Sequence, residues 1–131
     1  MAAYWDSSAL IAALHERPVR ERLNSEGGMT RNHALAEVFS TLTGGRLGIR
    51  FDTDQVAAMI RQLVSQLSVV ELETGQCLKA FDEAREKGVR GGRVYDYLHA
   101  SAAIHFSCEK VYTLNLSDFA DLFHDLKIEA P

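Results

Sequence analysis

Along this chain, short runs of β-branched or aromatic residues alternate with longer stretches whose apolar positions recur every three or four residues. That is the pattern of strands exchanged with helices. The first run, AAYWD, is short and apolar and ends in Asp6, after which Ser7 and Ser8 offer hydroxyls at the start of a helix that buries Leu10, Ile11 and Leu14. Arg17 precedes Pro18, a pair that disfavours helix at Arg17, while Pro18 suits the first turn of a second short helix carrying Val19 and Leu23. Asn24 to Gly28 reads as a turn and Met29–Thr30 as a very short strand. Leu35, Val38, Phe39 and Leu42 then mark one face of a helix that Gly44 and Gly45 end.

Asp52 or Thr53 caps the next helix, where Val56, Met59, Ile60, Leu63, Val64 and Leu67 form the clearest amphipathic pattern in the chain. Ser68 to Leu72 reads as a strand, and Thr74 opens a helix that buries Leu78, Phe81 and Ala84 and stops at Gly88. In GGRVYDYLHASAA, from Gly91 to Ala103, a glycine turn leads into a small-residue helix with Asp96 in its first turn, where the helix dipole favours an anion. Lys110 to Leu114 reads as the last central strand, Ser117 to Leu122 as one or two helical turns, and Ile128 as part of a short edge strand. Such alternation predicts an α/β fold with a parallel sheet covered on both faces.

Composition narrows the class. A chain of 131 residues fits one domain spanning 1–131, and 47% hydrophobic residues with 2 prolines is an ordinary globular composition. Uncharged apolar runs fall well short of the roughly 20 residues that span a bilayer, and the N-terminus lacks a basic segment leading into an apolar one, so a cytoplasmic protein without membrane contact is expected. Cys77 and Cys108 are isolated within apolar patterns, as buried thiols are, rather than paired as in a disulfide or zinc framework. The formal net charge of −4 gives no global attraction for nucleic acid; any such contact needs a local patch, for which Arg46, Arg50, Lys87, Arg90 and Arg93 are the candidates.

In a parallel sheet with right-handed crossovers, the C-terminal ends of the strands share one edge, and ligands bind there. Asp6 ends the first strand, Glu37 lies in the helix after the second, Asp96 in a helix after the third, and Asn115 and Asp118 follow the fourth. Gathered carboxylates repel, so a persistent cluster holds a cation or carries raised pKa values. Hard oxygen donors without a cysteine or histidine cage suit magnesium or manganese, which can activate water against a phosphodiester. Each acid also has a plainer reading: Asp6 and Asp118 as helix caps, and Glu37, opposite the apolar face of its helix, as a solvated glutamate. His33, four before Glu37, and His99, three after Asp96, are candidates for proton transfer, but no zinc-protease motif is present. The glycine pairs match neither a dinucleotide fingerprint nor a phosphate-binding loop, and Ser7 and Ser8 have no sequence-evident base.

Four segments in order, YWDSSALIAAL, HALAEVFSTLTG, GGRVYDYLHASAA and VYTLNLSDFADL, resemble the PIN-domain family, and within it the VapC-type toxins of bacterial toxin-antitoxin pairs. The resemblance implies a three-layer α/β/α sandwich around a short parallel sheet. It implies an endoribonuclease using Mg2+ or Mn2+ held by Asp6, Glu37, Asp96 and a residue of the last segment. Many relatives carry aspartate where this chain has Asn115, a neutral ligand, so the fourth charge comes from Asp118 or is absent. Thr113 matches a hydroxyl position that orients water or phosphate, and Ser7 and Asn115 are further candidates for that task. The resemblance also implies a homodimer, formed through the amphipathic faces around Val56 to Leu67, and a cognate antitoxin that occludes the acidic cleft.

Two other readings compete. A PIN-like module that binds RNA or protein without catalysis would follow if Asn115 leaves too little charge for a metal. A receiver-like signalling domain would need a lysine at the end of the last strand, whereas Lys110 begins it.

Overall fold

The computed structural model describes residues 2–45, 48 and 50–131. Five strands, β1 (Ala3–Trp5), β2 (Met29–Arg31), β3 (Ser68–Val70), β4 (Lys110–Tyr112) and β5 (Lys127–Glu129), form one sheet in the order β3-β2-β1-β4-β5, parallel throughout. β1 is central, with Tyr4 opposite Met29 on one side and Val111 on the other.

Side chains on a strand alternate between faces, and here that alternation divides the core in two. Ala3, Trp5 and Tyr112 join a cluster filled from α1 (Ser7–His15), α2 (Arg17–Glu26), α3 (Asn32–Thr43) and α4 (Thr53–Val64). Tyr4 and Val111 join another, filled from α5 (Thr74–Glu86), α6 (Arg93–His105) and α7 (Leu116–Phe119). The result is the α/β/α sandwich expected. Trp5 is fully buried and its indole Nε1 donates to the Gly27 carbonyl at 3.0 Å, so this large side chain leaves no orphan donor.

Several element boundaries differ from the sequence reading. α2 begins at Arg17 rather than at Pro18, because Glu16 takes the extended cap position and Arg17 pairs with Glu21 at 2.9 Å along the helix. The same helix runs on through Asn24 to Glu26, and only Gly27 and Gly28 turn. Gly27 caps it at φ 64°, and a Cβ on Gly28 would fall 2.4 Å from the Ala3 carbonyl oxygen, so the chain can pass this close to β1 only as glycine. β3 and β4 each stop after three residues, at Val70 and Tyr112.

On α5 the inward positions are taken by Ala80 and Ala84, with Cys77 partly buried beside them; Leu78 and Phe81, expected inside, are exposed. Small residues let this helix lie close to its core, which turns its larger apolar side chains outward. Phe39 of α3 is likewise partly exposed, while Ala34, Val38 and Leu42 face inward. α4 follows its apolar pattern: Val56 and Leu63 are buried, Met59, Ile60 and Leu67 pack at the margin of the same core, and Val64 is exposed. The inner half of that pattern is therefore occupied within the chain and is not free for a second copy. Cys108 is buried and Cys77 partly so, both as free thiols. Among the described residues no helix is long and apolar enough to cross a membrane.

Candidate active site

Asp6 follows β1 directly and caps α1. Its Oδ1 accepts from the Ala9 amide at 2.9 Å and from the Ser8 hydroxyl at 2.7 Å, and its Oδ2 accepts from the Thr113 hydroxyl at 2.5 Å. This capping carboxylate is only 2% exposed. Burial pushes its pKa up, and the bonds from Thr113, Ser8 and Ala9 oppose that by favouring the anion. Both hydroxyls are themselves fixed from the far side, since Ser8 Oγ accepts from the Leu114 amide and Thr113 Oγ1 from the Asn115 amide, each at 2.9 Å. The segment after β4 is in this way fastened to the segment after β1. Thr113 is fully buried with its hydroxyl engaged on both sides, so what it orients is the Asp6 carboxylate.

Glu37 extends from α3 and is half-buried. Its Oε1 lies 2.8 Å from Nε2 of His99 and 3.9 Å from Nε2 of His33. Partial burial raises its pKa, but the His99 hydrogen bond and the neighbouring basic side chains His33 and Arg31 outweigh it, and the carboxyl sits below its ordinary value. Oε2 makes no hydrogen bond among the described residues and is left for another partner. The solvated-glutamate reading therefore does not describe Glu37.

Asp96, in the first turn of α6, has its pKa pushed up from 3.8 to about 6. Burial is the largest cause; His99 lowers it, and the charges of Asp118, Asp6 and Glu37 raise it. The four acids, from four separate segments of the chain, thus share one electrostatic environment. Asp118 and Asn115 are both exposed, on α7 and at its N-terminal cap. The charge of Asp118 is among those that raise the Asp96 pKa.

Ser7, Ser8, His33, Glu37, Leu114 and Asn115 line an open cleft of about 740 Å³, within the size range of small-molecule sites. Among the described residues no three His, Cys, Asp or Glu side chains stand close enough together to form a ready-made metal cage. The donor chemistry nonetheless fits a hard divalent cation: oxygen ligands only, with Asp96 lifted by its acidic neighbours and Glu37 Oε2 free.

The profile of the PIN domain matches residues 3–122. This chain belongs to the PIN domain family. Solved structures with the same PIN fold include DNA-bound VapBC from Salmonella typhimurium, at 20% identity and a TM-score of 0.73, covering 99% of this chain and 98% of that one. VapBC2 from Rickettsia felis, bound to a DNA fragment from its promoter, is 18% identical with a TM-score of 0.73 over 99% and 98% of the two chains. Mycobacterium tuberculosis VapC20, a Sarcin-Ricin loop cleaving toxin, is 18% identical with a TM-score of 0.68 over 95% and 98%. A search of curated proteins returned no match.

Of the candidate basic residues in this PIN domain, Arg50, Arg90 and Arg93 are exposed, and Arg46 lies outside the described residues. Lys87 is engaged elsewhere: its Nζ donates to the Leu122 carbonyl at 2.8 Å and stands 4.1 Å from the centre of the Phe123 ring. Sequence reasoning missed three contributions. Ser8 grips Asp6, whereas the hydroxyl of Ser7 makes no hydrogen bond among the described residues; in a DSS segment either serine is equally eligible. His99 is buried against Glu37, a contact across 62 positions of sequence that no local spacing reveals. Tyr4 holds the other nitrogen of His99 and carries no sequence signal beyond that of a core aromatic.

Proposed function

We propose that this PIN domain is a Mg2+- or Mn2+-dependent endoribonuclease, the toxin of a type II toxin-antitoxin pair acting in the cytoplasm, with residues 1–131 forming one catalytic domain. What supports the reading is the PIN-family match over residues 3–122, with Asp6 directly after β1 and Asp118 in the helix after β4 on a parallel sheet whose strand ends form the usual ligand edge. The bound ion supplies a polarised water and charge stabilisation at the departing oxygen of a phosphodiester. Asp6, Asp96 and Asp118 would hold it, with Glu37 Oε2 and the Asn115 amide oxygen as further donors. Ser8 and Thr113 hold the Asp6 carboxyl in place, and their bonds favour its anionic form against burial. Ser7 and Asn115 border the cleft where an RNA phosphate would lie, and Arg50, Arg90 and Arg93 offer exposed charges for its flanking phosphates.

The VapBC neighbours support a cognate antitoxin as partner, and the likeness to VapC20, a Sarcin-Ricin loop cleaving toxin, supports RNA as substrate. A homodimer fits the exposed apolar side chains Leu78 and Phe81 better than the largely occupied α4 pattern. The test is cleavage of RNA by the purified, antitoxin-free chain with Mg2+ or Mn2+, stopped by chelation and abolished by Asp96→Ala. Cleavage by Asp96→Ala at the parent rate would overturn the site. The second reading, a non-catalytic RNA- or protein-binding module, draws on Asn115 and on the absence of a ready-made cage; a wild-type chain that binds no Mn2+ would establish it instead.

A further inference from the structure

Tyr4, His99 and Glu37 come from β1, α6 and α3, the same strand end and helices that carry Asp6, Asp96 and Glu37 itself. The Tyr4 hydroxyl lies 2.6 Å from His99 Nδ1, and His99 Nε2 lies 2.8 Å from Glu37 Oε1. Tyr4 is fully buried and His99 is 1% exposed, so neither can exchange its partner for water. We infer that Tyr4 and His99 form a positioning relay that fixes the rotamer of Glu37 and turns its second oxygen, Oε2, to the acidic site; the inference rests on the metal-dependent reading above.

The direction of the relay follows from counting donors and acceptors. The Tyr4 hydroxyl has no other hydrogen-bond partner among the described residues. If His99 carried its proton on Nδ1 alone, the phenolic proton would have no acceptor and the Nε2 lone pair would face a carboxylate. Leaving such a buried donor unmade is costly. The arrangement that satisfies every group is Tyr4 O–H donating to Nδ1, and Nε2–H donating to Glu37 Oε1. One phenol thereby selects the tautomer of an imidazole, and the imidazole selects which oxygen of the glutamate is free. Outer partners of this kind orient metal-ligating side chains in other proteins. His33 stacks on Tyr95 with ring centres 5.2 Å apart, and its Nε2 lies 3.9 Å from the same Glu37 oxygen.

The test combines tautomer and metal affinity, neither of which is activity of the loaded enzyme. Long-range 1H–15N correlation of the imidazoles, with His99 identified by its loss in His99→Gln, should show the Nε2–H tautomer in the wild type. Tyr4→Phe, which keeps the ring and removes the donor, should mix the tautomers. Calorimetric titration with Mn2+ should show His99→Leu weakened by about 10-fold or more and Tyr4→Phe weakened in the same direction. His99→Gln, whose amide nitrogen can replace Nε2, should bind within about threefold of the wild type and so separates positioning from loss of packing. A wild-type His99 in the Nδ1–H form, or Tyr4→Phe and His99→Leu binding Mn2+ as tightly as the parent while Asp96→Ala loses it, overturns the relay alone. A wild type that binds no Mn2+ overturns the metal reading, and the relay's role with it.

Discussion

Replacing Asp96 by asparagine should make the metal-free protein more stable at neutral pH while removing its response to metal. The carboxyl has a value of about 6 in the fold against an ordinary 3.8, a difference equivalent to about 3 kcal/mol at neutral pH. Because the group is only half-buried, solvent screening reduces this to about 1–2 kcal/mol. Losing an anion from the first turn of α6 costs about 0.3–1 kcal/mol through the helix dipole, leaving a net gain on the order of 1 kcal/mol. Asp96 makes no side-chain hydrogen bond among the described residues, so the near-isosteric amide breaks no contact. For a domain of this size the gain corresponds to a rise in Tm of roughly 3–5 °C. The sign follows from the direction of the shift. Between about pH 4 and 6 the folded state holds a proton that the unfolded state has lost, so wild-type stability falls as pH rises through that window, and below about 4 the advantage of asparagine disappears. Saturating Mn2+, at 100 times its dissociation constant, should stabilise the wild type by about 2.7 kcal/mol and leave Asp96→Asn unmoved. Thermal unfolding of both proteins at pH 7.5 and pH 4, with and without Mn2+, measures these effects. A lower Tm for Asp96→Asn in the metal-free state, or an equal Mn2+ response in both proteins, would refute the reasoning.

Thr113→Val leaves the buried Asp6 Oδ2 without its donor and should cost about 1–3 kcal/mol in denaturant unfolding, with a further rise in the Asp6 pKa; an unchanged midpoint would mean that the bond does not hold. Mn2+ affinity should increase as pH rises through about 6, the value to which the metal-free Asp96 carboxyl is pushed up, and Asp96→Glu should shift that profile; an affinity flat from pH 5 to 7.5 would exclude Asp96 as the titrating ligand. Leu63→Ala should destabilise the monomer by about 2–5 kcal/mol, independently of protein concentration, because Leu63 is buried in its own core. A midpoint that varied with concentration and little with this substitution would place α4 in an interface instead.

The order of elements was legible because each amphipathic helix and short apolar run declares its own period, and parallel topology follows from their alternation. Legibility failed where small residues decide the packing. On α5, Leu78 and Phe81 look like a core face, yet Ala80 and Ala84 allow the closer approach and the large side chains turn out. Asn24 to Glu26 suggested a turn by composition, but the helix runs on through these residues and stops only at the glycine that follows them, Gly27. Asp6, Glu37 and Asp96 became candidates from the sequence because topology assigns strand ends to one edge. What sequence could not supply was the set of groups that hold them. Ser8 and Thr113 meet across 105 positions and Tyr4 meets His99 across 95, and such pairings exist only once the sheet is assembled.

The central claim, that Asp6 and Asp96 serve one divalent ion, is tested most directly by anomalous diffraction from crystals grown with Mn2+. The account predicts a manganese peak between the Asp6 and Asp96 carboxylates, at about 2.0–2.3 Å from an oxygen of each, with Glu37 approaching through Oε2. A peak bound elsewhere, or density showing the two carboxylates liganded to nothing at saturating Mn2+, would contradict it.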